Sequence, residues 1–150
     1  MSVSSYGSID PVARPASSTL AVGIERRMEF LAQGPLLTDV GGTIAVNVLS
    51  TPGMIAMIER NCAILALEHL PENSATVGFE VAVKHVVAAL EGVRCEAYAR
   101  LYEILDARKL RFEVQVRALD SDDPEGRVVG LGSHERRVID VSQHSQSAGR

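Results

Sequence analysis

The stretch from Ser50 to Leu70, STPGMIAMIERNCAILALEHL, decides the fold. Apolar residues occur on every side of its 3.6-residue repeat, which indicates a helix surrounded by other elements rather than one lying on a surface. The triplet Glu59 to Asn61 interrupts this apolar pattern. An ionised carboxylate inside a surrounded helix is costly without a partner, so Glu59 needs either an ion pair or a function.

Proline and glycine predict where this helix begins and ends. Thr51 is a favoured N-cap and Pro52 a favoured first helical residue. Gly53 weakens the first turn, so the regular helix is expected to begin near Met54. A proline directly after Leu70 predicts that the helix ends there.

Composition excludes several classes of protein. The chain has 150 residues, of which 46% are hydrophobic and 23% charged, as in a globular domain. The net charge of −4 offers no field that attracts nucleic acid or a membrane surface. No apolar run is long enough to span a bilayer, and no secretory signal is recognisable. Cys62 and Cys95 are predicted to be buried thiols of a cytoplasmic protein.

The chain is predicted to form one domain between two irregular ends. Residues 1 to 22 are rich in Ser, Pro and Ala without periodicity, which predicts a flexible N-terminal arm. Residues 23 to 142 form the predicted domain, and residues 143 to 150 a flexible tail.

After the helix the hydrophobic period changes from 3.6 to 2, which predicts strands. The alternating segments are TVGFEVAVKHVVAAL, VRCEAYARLYEIL, LRFEVQVRAL and GRVVGLGSHERRVIDV. The turn residues between them predict that consecutive strands pair antiparallel, as a meander with one covered face. Before the helix, RRMEFLAQ and TIAVNVL supply a first strand and an approach. In the first segment the predicted core row is Val77, Phe79, Val81, Val83, His85 and Val87.

One buried helix and one long antiparallel sheet fit together if the sheet curls round the helix. This is the α+β hot-dog arrangement, with five or six strands. The stretch from Leu49 to Asp140 resembles the fluoroacetyl-CoA thioesterase branch of hot-dog acyl-CoA thioesterases. Three pieces carry the resemblance: STPGMIAMIE, VGFEVAVKH and GLGSHERRVI.

The resemblance implies specific site residues. Thr51 and Glu59 match a family pair eight residues apart, Gly78 and His85 match a pair seven apart, and the third piece matches as far as Arg136. By resemblance Thr51, Glu59 and His85 are catalytic, whereas Gly78 and Arg136 bind substrate. The implied reaction is hydrolysis of an acyl-CoA or carrier-bound thioester, by a homodimer with its cleft between subunits. Coenzyme A would be part of the substrate, with no other cofactor. Pro52 departs from the glycine that follows the threonine in related enzymes.

Each of these residues also has a purely structural interpretation. Glu59 fits an ion pair with an arginine, Thr51 an N-cap, and His85 a core histidine; Gly78 fits a strand irregularity and Arg136 a solvated strand position. On one continuous helix, Thr51 and Glu59 would be ~12 Å apart. Contact between them therefore requires Thr51 to lie on a loop or to come from a partner subunit.

Other chemistries have weaker support. The histidines and cysteines lack zinc-like spacing, so no metal is expected, and there is no nucleophile elbow. Hot-dog hydratases use an Asp and a His on one segment, but no Asp occurs between Val40 and Asp106. A non-catalytic acyl-CoA-binding protein remains an alternative. In the fluoroacetyl-CoA enzyme, selectivity is associated with an aromatic lid, and Ala45 stands where that phenylalanine is expected.

Overall fold

The central helix, α1, spans Thr51–Leu67 in a computed structural model that describes residues 7–120 and 122–142. Its N-cap is Ser50, whose hydroxyl accepts the Gly53 N–H at 2.9 Å. The prediction of Thr51 as the cap, with a regular helix only from Met54, was therefore wrong. The serine directly before Thr51 takes the cap, and Thr51 is the first helical residue. A side chain at Gly53 would lie 2.6 Å from the Leu36 carbonyl oxygen, so glycine permits this close approach.

The helix ends three residues before the predicted end, and the chain then turns before Pro71.

The polar residues within the helix, Glu59 to Asn61, have different surroundings. Asn61 is 1% exposed, accepts from the Arg26 guanidinium at 2.9 Å and donates to the Arg26 and Ala97 carbonyls. Arg60 donates to the Gly7 carbonyl at 2.8 Å. Asn61 thus links the helix to the sheet with its polar atoms satisfied, as a buried amide requires.

A five-stranded antiparallel sheet packs against the helix, and every strand of it contacts α1. The strand order is β1-β5-β6-β7-β4. A short 3-10 turn at Gly34–Leu36 and a two-stranded ribbon precede the helix. The ribbon strands are β2 (Leu37–Thr38) and β3 (Val48–Leu49), and the sheet strands are β1 (Glu25–Leu31), β4 (Ser74–His85), β5 (Arg94–Leu105), β6 (Lys109–Ala118) and β7 (Arg127–Asp140).

The predicted meander is confirmed for β5, β6 and β7 but is wrong for β4. Strand β4 pairs with β7 at the edge of the sheet instead of with β5. The reason lies in residues 86–93, which form a connection and not a tight hairpin. Ala89 is fully buried, and its carbonyl accepts the Leu49 N–H at 2.8 Å. This contact directs the chain past the start of the helix to the other side of the sheet.

The predicted alternation holds on the central strands and fails on β4. Buried residues occupy the expected positions of β5 and β6: Cys95, Ala97, Ala99, Leu101, Phe112, Val114 and Val116. On β4, however, Val77 is 45% and Phe79 60% exposed, and Val87 lies beyond the strand and is also exposed. The register with β7 shifts between Gly78 and Glu80, which inserts Phe79 as an extra residue. A bulge of this kind reverses the face of every residue on one side of it.

The ends of the chain are described only in part. Residues 7–22 have no helix or strand, but Arg14 donates to the carbonyls of Leu70, Pro71 and Ser74 at the end of the helix. Flexibility of residues 1 to 22 remains a prediction, and residues 1–6 lie outside the described part. The predicted tail, residues 143 to 150, also lies outside it. Both cysteines are buried free thiols, as predicted.

Candidate active site

The bulge in β4 turns Gly78 towards the helix. Gly78 pairs with Arg136, and a side chain at Gly78 would meet the Glu59 carboxylate at 2.6 Å. The same added atom would lie 3.5 Å from Arg136 Nη1 and 3.6 Å from His134 Cε1. Three polar side chains, those of Glu59, Arg136 and His134, therefore converge on the one position of β4 that has no side chain. Gly78 is exposed and the Glu59 side chain is 41% exposed, so the carboxylate can be reached from outside the chain.

Glu59 is less buried than the apolar helix predicted. Its side chain is 41% exposed, and its Oε2 lies 3.6 Å from Arg136 Nη1. The helix faces the edge strand at this point, where the missing side chain of Gly78 leaves the carboxylate uncovered. The expectation of an enclosed carboxylate was wrong. The ion pair with an arginine is present, but it leaves part of the carboxylate free to meet another molecule.

Arg136 is held firmly by its neighbours. Its side chain is 8% exposed, which corrects the alternative of a solvated strand residue. Its Nε donates to Thr76 Oγ1 at 2.7 Å, and its Nη2 donates to the Thr76 carbonyl at 2.9 Å. Its Nη1 lies 3.2 Å from His134 Nε2. Burial lowers the pKa of Arg136, while Cys62 and Glu59 oppose that shift. An arginine remains a cation throughout the ordinary pH range, so the site keeps one fixed positive charge.

The buried groups behind this cluster are electrically neutral. Burial raises the pKa of the Cys62 thiol to about 12, with the Arg136 charge lowering it and the Glu59 charge raising it to smaller extents. A thiol with so high a pKa is not a nucleophile at neutral pH. Burial also lowers the pKa of His134, and the nearby Arg136 charge acts in the same direction. The imidazole is therefore neutral at pH 7.

Thr51 and His85 form a second pair at the first turn of the helix. Thr51 Oγ1 lies 2.9 Å from His85 Nδ1. Burial lowers the pKa of His85, with the Val87 backbone opposing the shift, so the ring is neutral at pH 7 and able to accept a proton. Its Nε2 is enclosed and has no hydrogen-bond partner among the described residues. A pocket of about 240 Å³ lies beside the pair and is lined by Val48, Leu49, Thr51, His85, Val86, Val87 and Ala88.

The group around Glu59 and the Thr51–His85 pair are separate within one chain. Thr51 and Glu59 lie on one continuous helix, so their backbones are ~12 Å apart. Thr51 is not on a loop that folds back. Within a single subunit the structure therefore joins Glu59, Gly78 and Arg136 in one group and Thr51 and His85 in another.

Two residues of this site were missed by the sequence analysis. His134 lies within the third matched piece but was given no role, and Thr76 was not singled out. The alternation of β7 places His134 on the same face as Arg136, and this pattern could have identified it from the sequence. No comparable signal identified Thr76, because its alignment with Arg136 depends on the pairing of β4 with β7.

Larger pockets of the described chain lie away from the predicted site residues. A larger pocket, about 540 Å³, lies beneath residues 8–13 and contains none of the predicted site residues. Within residues 7–120 and 122–142, no cluster of His, Cys, Asp or Glu side chains is arranged to hold a metal ion. None of the helices described is long and apolar enough to cross a membrane.

Comparison with solved structures identifies the fold. The fluoroacetyl-CoA thioesterase FlK superimposes with a TM-score of 0.71 at 20% identity, over 86% of this chain and 95% of that one. A thioesterase superfamily member from Thermus thermophilus, TTHA0967, gives 0.72 at 20% identity, over 92% and 94%. A hot-dog-like protein from Thermanaerovibrio acidaminovorans gives 0.71 at 18% identity, over 85% and 89%. The chain therefore has the hot-dog fold.

The sequence identifies the family to which the chain belongs. Residues 36–142 match the fluoroacetyl-CoA-specific thioesterase family, a span that includes all five predicted site residues. The chain belongs to this family and is an acyl-CoA thioesterase. No curated protein sequence matches it at a significant level.

Proposed function

We propose that this protein hydrolyses acyl-CoA thioesters at the opening beside Gly78, with Glu59 as the group that activates the attacking oxygen. The observation that carries the proposal is the convergence of Glu59, Arg136 and His134 on a glycine that is open to the outside. An exposed ion pair of ordinary structural purpose does not require a missing side chain opposite its carboxylate. A substrate that approaches Glu59 does require it.

The proposed chemistry needs little more than these groups. As a general base, Glu59 takes a proton from water while the water oxygen attacks the thioester carbonyl carbon. The carbon–sulfur bond then breaks, and the thiolate of coenzyme A leaves and takes up the proton. Direct attack by the carboxylate, through an acyl anhydride, is the other route open to Glu59. The fixed charge of Arg136 orients the carboxylate and the substrate, and the Gly78 N–H is a candidate donor to the developing oxyanion.

We assign Thr51 and His85 to the same reaction. A neutral imidazole hydrogen-bonded to a hydroxyl is the arrangement that activates or orients an oxygen nucleophile. The pair lies too far from Glu59 of its own chain to act on one carbonyl carbon. The proposal therefore requires that the two groups meet across a subunit boundary.

A homodimer formed through β4 would bring the two groups together. Strand β4 lies at the edge of the sheet, is 12 residues long and has exposed apolar side chains at Val77 and Phe79, features that favour strand addition. Antiparallel pairing of two copies about an axis at Ala82, with Phe79 as the extra residue of its bulge, would set Gly78 opposite His85 of the partner subunit. Opposed residues share a face, with Cα atoms about 4.5–5.5 Å apart. Both Gly78 and His85 point to the helix side, so each cleft would receive Glu59 from one subunit and the Thr51–His85 pair from the other.

The alternatives are less well supported. A non-catalytic acyl-CoA-binding protein would not need an uncovered carboxylate beside a fixed arginine, nor a neutral histidine held by a threonine. A hot-dog hydratase would need an Asp and His pair that the central part of this chain does not supply. We further propose that the protein acts in the cytoplasm, without a cofactor beyond the coenzyme A of its substrate; the two free thiols agree with that compartment.

The test is release of free thiol from short, branched and aromatic acyl-CoAs, measured with a chromogenic thiol reagent. We expect catalytic turnover on at least one of them. Binding of acyl-CoA without release of coenzyme A would favour the non-catalytic alternative. Hydration of an enoyl-CoA without thiol release would favour the hydratase.

A further inference from the structure

His134 is a buried histidine with both ring nitrogens in use. It lies on β7, is 2% exposed and stacks on Phe112 with the ring centroids 6.4 Å apart. Its Nδ1 lies 2.7 Å from the Glu80 carbonyl oxygen, directly after the bulge of β4. Its Nε2 lies 3.2 Å from Arg136 Nη1. His134 lies within the third matched piece, but the resemblance assigns it no role.

The chemistry of the two partners fixes the tautomer of this ring. A carbonyl oxygen only accepts hydrogen bonds, and a guanidinium only donates them. Nδ1 must therefore carry the proton and donate it to Glu80, while Nε2 is unprotonated and accepts from Arg136. A doubly protonated ring would direct an N–H at the guanidinium and place a second positive charge beside it. The lowered pKa of His134 agrees with a ring that is neutral in use.

The contact completes the set of acceptors around Arg136. Thr76 takes the Nε and Nη2 hydrogens from the β4 side, and His134 takes one from Nη1 on the β7 side. The guanidinium is a rigid planar fork, so acceptors on two sides define its plane. Nη1 is then left facing Glu59 Oε2 at 3.6 Å and the space beside Gly78. Without His134, Nη1 would have no fixed acceptor apart from Glu59 itself.

We infer that neutral His134 is a positioning residue that fixes the Arg136 guanidinium, so that Nη1 is directed to the Glu59 carboxylate and the substrate opening at Gly78. This inference rests on the proposed function of that opening. It assigns no contact with substrate to His134, whose effect passes entirely through Arg136. The competing interpretation is a core histidine that needs only its bond to the Glu80 carbonyl.

Two substitutions test the hydrogen bonds of the two ring nitrogens of His134 separately. In His134→Asn the amide N–H takes the place of Nδ1 and keeps a donor for Glu80, but nothing replaces Nε2. In His134→Gln the longer side chain places a carbonyl oxygen near the Nε2 position, where it accepts from Arg136. We expect kcat to fall about tenfold or more in His134→Asn, with KM changed less than about threefold. His134→Gln should retain kcat within about threefold of the wild type.

A double-mutant cycle with Arg136→Lys tests the route of the effect. A lysine has no planar fork to orient, so adding His134→Asn to Arg136→Lys should cost little further activity. Equal losses in the Asn and Gln variants would overturn the inference, as would a full additional loss in the Arg136→Lys background. Wild-type kcat in a folded His134→Asn variant would also overturn it. Failure of the proposed function is a separate result, namely normal turnover after substitution of Glu59.

A measurement on the wild-type protein keeps the inference testable if the Asn variant does not fold. Nitrogen-15 spectra of the histidine rings at pH 7 distinguish protonated from unprotonated nitrogens. We expect His134 to show a protonated Nδ1 and an unprotonated Nε2. The opposite tautomer, or a doubly protonated ring, would overturn the inference because neither has an acceptor for Arg136.

Discussion

Glu59 reaches the opening of the site because one neighbouring position on β4 has no side chain. Its carboxylate and the space at Gly78 are complementary, since even a methyl group there would lie 2.6 Å from Oε2. The carboxylate is partly exposed, so it avoids the full desolvation cost of an enclosed charge. Its ion pair with Arg136 sets its orientation rather than its burial. Each of these properties suits a base that must meet water or substrate.

Replacing Glu59 with Gln should remove the reaction and leave the fold intact. Gln keeps the size of the side chain but has no carboxylate to take a proton. We expect kcat/KM to fall by roughly 30- to 900-fold, which is about 2–4 kcal/mol of transition-state stabilisation. Glu68→Gln is the matched control, because Glu68 is also 41% exposed and also paired with an arginine, Arg26. Near wild-type turnover in Glu59→Gln would return Glu59 to a structural role.

Sequence resemblance supplied the residues of this site but not their surroundings. The resemblance implied Thr51, Glu59, Gly78, His85 and Arg136, and the structure places three of these in one group and two in another. The resemblance could not predict that Glu59 is partly exposed. An all-round apolar helix does not reveal which of its sides faces an edge strand with a glycine in it. His134 was missed because its role depends on contacts with Arg136 and a carbonyl of another strand.

At the level of elements, two local features set the positions of these residues. The bulge at Phe79 turns Gly78 inward and leaves Phe79 outside, where the Arg137 guanidinium lies 3.6 Å over its ring. The cap is Ser50, one residue before the predicted cap, so Thr51 is helical and its hydroxyl contacts His85. Alternation predicted β5 and β6 correctly because both are regular where they cross the core. The alternation failed on β4 because the bulge at Phe79 reverses the side of the sheet that the following residues face. The residue types along the strand do not reveal such a bulge.

The cap, Ser50, and the proposed catalytic residue Thr51 are adjacent, so substituting each one separates stability from activity. Ser50→Ala removes the acceptor of the Gly53 N–H and should lower the free energy of unfolding by about 1 kcal/mol. Thr51→Ala should lower it much less, because alanine is a good helix residue. Activity should show the reverse order, with the larger loss in Thr51→Ala. Urea unfolding and kcat/KM on the same preparations measure both; a larger stability loss in Thr51→Ala would contradict the assignment of the cap.

At the level of the whole molecule, we propose that the segment before the helix shapes the mouth of the cleft. Residues 39–47 are all exposed and include Val40, Ala45 and the pair Gly41 and Gly42. The chain has no aromatic residue between Phe30 and Phe79. A mouth without an aromatic wall lacks one of the largest apolar contacts a pocket can make, and it discriminates poorly against larger groups.

We therefore expect fluoroacetyl-CoA not to be the preferred substrate, although the family is named for it. The measurement is kcat/KM for fluoroacetyl-, acetyl-, butyryl- and phenylacetyl-CoA under the same conditions. Activity on one of the larger acyl groups should equal or exceed that on fluoroacetyl-CoA. Ala45→Phe is the matched variant and should shift the preference towards the small acyl groups. A strong preference of the wild type for fluoroacetyl-CoA over acetyl-CoA would contradict this expectation.

The central claim is that each cleft combines Glu59 of one subunit with the Thr51–His85 pair of the other. Glu59→Gln and His85→Asn should each be inactive alone. If the claim is correct, mixing the two variants after reversible unfolding restores one intact cleft in every heterodimer. Equal mixing makes half of the dimers heterodimers, so the mixture should recover about a quarter of wild-type activity. A mixture that contains heterodimers but stays inactive, or an active wild-type monomer in light scattering at assay concentration, would contradict the claim.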